Sequence, residues 1–193
     1  MADTARRFAP WLDEAMKWEG LREAKGAANN PDIVAMGRDA GVDWYERDAD
    51  AWCAVFVNAC LVRAGFPSTA SALARSFASY GLRLGEPITG AIVVFPRPPK
   101  SWAGHVGIVR RVLPDGVLEI VNGNVGDMVK VSRRRLADVL PDGIRWPPAA
   151  PLPPGVVGAE ADAEAAALAD RWLRLGDRGA DVRALQRRLN GLG

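Results

Sequence analysis

The sequence predicts an α+β domain in which N-terminal helices pack on a small antiparallel β-sheet. Apolar residues recur at helical spacing between residues 10 and 80. From residue 92 the pattern changes to short β runs separated by turn residues. Helices first and paired strands afterwards is the order of an α+β fold, not of alternating β-α units. The composition fits: 193 residues, 49% hydrophobic and 25% charged, suffice for one domain with its own core plus a short extension.

Pro10 opens the first predicted helix, residues 10–23, in which Trp11, Leu12, Ala15, Met16, Trp18 and Leu21 follow helical spacing. Gly26 and Asn29-Asn30-Pro31 break it. Residues 32–40 suggest a second, short helix ending at Gly41, and residues 42–50 an acidic loop with Trp44 and Tyr45. Residues 51–64 are apolar nearly all round, which predicts a buried central helix, ended by Gly65 and Pro67. A further helix is expected over residues 69–80.

Residues 92–95 form a β run bounded by Gly90 and Pro96, followed by a Pro-rich loop over 97–103. Residues 105–112 and 117–122 read as strands around Leu113-Pro114-Asp115-Gly116, a turn in which Pro presets one φ and Gly accepts a positive one. Residues 128–132 give a third strand of a meander and 144–146 a last one. Residues 147–155 are a Pro-rich extended linker, followed by an Ala-rich acidic stretch. The resulting division is a domain over 1–146, a linker over 147–169 and a separate C-terminal segment over 170–193. That segment is locally basic, with six arginines against Asp170, Asp177 and Asp181.

Counts restrict the chemistry. A single histidine, His105, excludes a zinc hydrolase built on two or three imidazoles, and two cysteines exclude a disulfide framework. A net charge of +2 does not point to a nucleic-acid partner. The first residues lack an apolar signal core, and no apolar run approaches the roughly 20 residues of a membrane span. The expectation is a chain made in the cytoplasm, without stable membrane association, that needs another agent to deliver it elsewhere.

Cys53 falls in the first turn of the central helix, where unpaired N–H groups and the positive end of the helix dipole stabilise a thiolate and a developing oxyanion. Cys60 lies seven residues on, roughly 10 Å along the axis, too far for a disulfide; it reads as core. His105, between Gly104 and Gly107, opens a strand. A helix-borne cysteine followed by a strand-borne imidazole is an arrangement in which the thiol attacks a carbonyl and the imidazole carries the proton. A third group must orient the ring, and Asn122 and Asn124 end the partner strand. A two-residue Pro-Asp loop sets His105 opposite Asn124 and Gly107 opposite Asn122, with both asparagines on the His105 face. A bulged three-residue loop turns both away, and Asn122-Gly123-Asn124 is then only a turn. Both registers remain open. Trp44, Trp52 and Trp102, with Tyr45, are candidates to line a groove.

Trp52-Cys53-Ala54-Val55-Phe56-Val57, Gly90-Ala91-Ile92-Val93-Val94-Phe95, Gly104-His105-Val106-Gly107 and Asn122-Gly123-Asn124 together resemble the NlpC/P60 and CHAP superfamily of papain-like cell-wall peptidases. The start at Pro10 and the stretch 71–76 are similar to its phage-associated branch. The resemblance spans 10–146 and implies a papain-like fold with Cys53 as nucleophile, His105 as base and Asn122 or Asn124 as orienter. Ala91 stands where the family usually has Asp, and Asn122 where CHAP members often have Glu. Residues 173–193 are similar to the opening of a small three-helix peptidoglycan-binding domain that is incomplete here. The resemblance implies a peptidoglycan hydrolase, an amidase or endopeptidase acting as a monomer without metal or cofactor. It would be endolysin-like, reaching the wall by holin-type release or particle delivery. Two other classes stay open: an inactive wall-binding protein and a cysteine amidase toxin acting on another amide.

Overall fold

The computed structural model describes residues 7–158. The segment expected at 170–193, with its arginines and binding-domain pattern, lies outside the described residues, as does the Ala-rich stretch before it. Among the described residues three α-helices come first: α1 (Pro10–Met16), α2 (Pro31–Asp39) and α3 (Cys53–Arg63). Six strands follow: β1 (Leu82–Arg83), β2 (Ile92–Pro96), β3 (Gly104–Leu113), β4 (Val117–Asn122), β5 (Lys130–Arg135) and β6 (Ile144–Trp146). They form one sheet in the order β1-β6-β2-β3-β4-β5, antiparallel throughout. The α+β architecture is as the sequence predicts.

Helix α3 is the centre of the core. Every residue from Cys53 to Leu61 is buried, because the helix packs on α1 and α2 and also on β3 and β4. A helix so enclosed has no polar face, which is why its sequence shows no stripe. Trp11 pins α1 to the sheet: its Nε1 donates to the Gly90 carbonyl at 2.8 Å, and its ring meets Phe66 and Trp146 edge-on. Full burial of such rings contributes on the order of 2–3 kcal/mol each.

Three local expectations are corrected, and one strand is not foreseen in the sequence. Helix α1 stops at Met16, not at 23. Gly20 takes a positive φ of 91°, and residues 20–23 then exchange backbone hydrogen bonds with residues 127–129 instead of continuing the helix. Residues 69–80 form no α-helix; only a 3-10 turn, Ala74–Ser79, appears. The buried Asn58 accepts from the Thr69 N–H and donates to the Thr69 hydroxyl and the Ser71 carbonyl, holding the segment in an irregular path. Strand β5 begins two residues later than expected and runs on to Arg135, since Met128 pairs with Arg22. The two-residue β1 carries too little pattern to announce itself in the sequence.

The start of the Pro-rich segment is docked. Leu152 and Val156 pack on the core, Pro153 is buried and Gly158 pairs with Leu84.

Candidate active site

The hairpin of β3 and β4 decides which side chains meet. Leu113 pairs with Val117, so the loop has three residues, Pro114–Gly116. By itself that register turns both asparagines away from His105. A β-bulge between Val109 and Arg111 inserts one residue and restores the other register, with Val109 opposite Ile120 and Ile108 opposite Val121. Arg110 and Arg111 both reach Glu119, at 3.6 and 2.8 Å, as two residues facing one across a bulge do. The three-residue loop and the face of the two-residue loop therefore coexist.

Beyond the bulge, Gly107 lies against Asn122. A Cβ on Gly107 would sit 2.9 Å from the Asn122 Cβ. That empty position lets the Asn122 side chain lean along the sheet to His105, where its Oδ1 is 2.6 Å from Nε2. The Asn122 amide nitrogen donates to the carbonyls of Lys130 (2.8 Å) and Ile120 (3.2 Å) and to the Ser132 hydroxyl (3.2 Å). These acceptors orient the amide, so the atom facing the imidazole is its oxygen. An amide oxygen only accepts, so Nε2 carries the hydrogen and Nδ1 keeps a lone pair.

Cys53 is the first residue of α3. No side chain caps this helix, so its leading N–H groups face the Cys53 end of the cavity without a side-chain acceptor from elsewhere. Cys53 and His105 line one cavity of about 240 Å³, together with Asn124, Leu73, Arg97, Lys100 and Trp102 among others. Burial pushes the Cys53 thiol up; the backbone N–H groups of Val106 and Ala54 and the Arg97 charge act the other way. Burial lowers the pKa of His105, the hydrogen bond to Asn122 raises it, and Arg134 and Arg97 lower it again. The net effect holds the imidazole below its ordinary value of 6.5, which favours its neutral form.

The remaining candidates separate. Asn124 lines the cavity from the turn after β4, with φ 56°, a left-handed conformation that asparagine tolerates. Asn122 touches the imidazole. Trp102 stands at the cavity, 59% exposed, and Trp44 at a neighbouring cavity of about 460 Å³, 66% exposed. The two cavities share Ala51, Ala72 and Leu73, which makes them one cleft. Trp52, expected to line the groove, is instead fully buried. Its ring fills the space that Gly123 leaves open, packs on Phe56, and donates from Nε1 to Glu23 at 2.7 Å. It supports the turn between Asn122 and Asn124 from below instead of lining the groove. Tyr45 is also buried. Cys60 is wholly buried and unpaired in the core, with its thiol pushed far up by burial.

Sequence reasoning missed Arg97, Lys100 and Leu73 as cavity residues, and Ser132 and Gly107 as supports of Asn122. Of these, only Gly107, spaced two residues from the single histidine, carried a signal. Asp48, near Cys53 in the chain, is a loop staple, accepting from the N–H groups of Ala24 and Asn30 at 2.7 and 2.8 Å. Among the described residues no group of three or more His, Cys, Asp and Glu side chains could hold a metal ion.

No curated protein and no solved structure matches this chain. A family does match, over residues 44–124. This region, which contains Cys53, His105, Asn122 and Asn124, matches the CHAP domain, supporting the CHAP/NlpC-P60-like superfamily and agreeing with the α+β fold around it.

Proposed function

We propose that the chain is a cysteine hydrolase of peptidoglycan, cutting an amide bond of the stem peptide or of its link to the glycan. CHAP domains are typically peptidoglycan amidases or endopeptidases, which supports the substrate. The observation that carries the mechanism is the 2.6 Å contact between His105 Nε2 and Asn122 Oδ1, in the cavity that Cys53 also lines. Nδ1 of His105 takes the thiol proton. The sulfur attacks the amide carbonyl while the N–H groups at the start of α3 stabilise the oxyanion. The imidazolium returns the proton to the leaving amine, giving a thioester, and water activated by the same imidazole then releases the acid and the thiol. An endolysin-like role, with release by a holin or delivery on a particle, is the physiological reading we attach to this activity.

Purified sacculi digested with the protein and analysed by mass spectrometry test the reading. Defined fragments with a new amine and a new carboxylate are expected, and both Cys53→Ala and His105→Ala should abolish them. Full release by either variant would sink the mechanism. Wall binding without any product from the unmutated protein would leave an inactive wall-binding fold.

A further inference from the structure

The cavity around Cys53 and His105 is lined by two cations, Arg97 and Lys100, and by no carboxylate. Among the described residues, some exposed arginines have acidic partners, Arg47 with Asp50, Arg111 with Glu119 and Arg135 with Asp138, while Arg38 and Arg134, away from the cavity, are in no ion pair. Among the described residues, no ion pair engages Arg97 or Lys100. Their loop is held in place. The Arg97 N–H donates to the Ala103 carbonyl, the Ala103 N–H to the Lys100 carbonyl, and Arg75 Nε ties Ala103 to the 3-10 turn at 2.9 Å. Lys100 Nζ lies 5.2 Å from the centre of the Trp102 ring, which stands at the same rim. The adjoining cavity differs, since Glu46 and Asp50 line it beside Arg47.

We propose that Arg97 and Lys100 form a carboxylate-binding subsite, so that the amide cut at Cys53 is one flanked by a free carboxylate. A guanidinium and an ammonium carried by an ordered loop at the rim of a cavity can bind a carboxylate through charge-assisted hydrogen bonds. A carboxamide of the same shape keeps the oxygen but loses the charge and turns one acceptor into a donor, so two cations reject it. A stem peptide carries more than one carboxylate, and conversion of one to its carboxamide removes that charge. The subsite would therefore sort wall types by amidation. This inference rests on the hydrolase reading above for its substrate, but its geometry concerns charge recognition alone.

The test uses the full chain and synthetic four-residue stem peptides in which each carboxylate in turn is replaced by its carboxamide. One replacement is expected to lower kcat/KM by about tenfold or more. In the double variant Arg97→Gln, Lys100→Gln the ratio for that peptide pair should fall towards one, mostly through KM. Binding of the same peptides to Cys53→Ala, followed by NMR titration, gives an independent reading. Equal affinity for every free and amidated pair, or undiminished discrimination in the double variant, would overturn the subsite. Discrimination in binding with no turnover by the unmutated protein would sustain the subsite and count against the hydrolase reading.

Discussion

Asn122 and His105 lie on neighbouring strands, and the imidazole Nε2 hydrogen is donated to the Asn122 side-chain oxygen across 2.6 Å. The amide is itself held by two backbone carbonyls and a serine hydroxyl. The asparagine therefore fixes both the tilt of the ring and its tautomer, and the lone pair falls on Nδ1.

Asn122→Ala should lower kcat by about 100-fold through loss of ring orientation, with the far-UV circular dichroism of the parent. Asn124→Gly, which keeps the left-handed backbone, should lose at least ten times less activity by the scale of the same effect. Sacculus turnover by the two variants checks this. A larger loss at Asn124 would transfer the orienting role to that residue.

Gly107→Ala places a methyl group 2.9 Å from the Asn122 Cβ and 3.0 Å from the Val121 carbonyl oxygen. The neighbours are backbone and a strand-bound Cβ, so β3 and β4 must separate. The expected cost is about 1–3 kcal/mol in urea unfolding. The displaced asparagine should also reduce activity in the protein that remains folded. Unchanged stability and activity would show that Asn122 needs no empty position beside it.

The acid limb of the kcat/KM profile reports His105, which must be neutral to accept the thiol proton. Burial holds its pKa below the ordinary value of 6.5, so activity should persist below that pH and fall at more acid values. The hydrogen bond to Asn122 raises the pKa. Removing it in Asn122→Ala should move the limb to still lower pH. A limb displaced upward would contradict the arrangement.

Asn58→Ala removes the acceptor of the Thr69 N–H and the donor to the Thr69 hydroxyl and the Ser71 carbonyl. Leaving those groups without their partner should cost about 2–3 kcal/mol in chemical denaturation. The segment they hold leads into Ala72 and Leu73 at the rim of the cleft, so KM should rise with the loss of stability. A change within about 0.5 kcal/mol, as at an ordinary surface position, would mean the path of 69–73 is held by something else.

Much of this protein is set by local sequence. The apolar run around Cys53 specifies the buried helix because enclosure on all sides requires apolar residues on all faces, and the β runs at 92–95 and 117–122 carry their own turns. Composition alone leaves one imidazole and one helix-start thiol. Other features depend on partners distant in the chain. Helix α1 is shortened by backbone pairing with residues 127–129, and the helical promise of 69–80 is overridden by a single buried asparagine on α3. Trp52 is drawn under Gly123 instead of into the cleft. Above all, the choice between facing and averted asparagines belongs to tertiary structure. The loop length predicts one answer, and a bulge between Val109 and Arg111 produces the other. A period-two strand inverts its faces with one inserted residue, and only the assembled sheet decides where that residue goes.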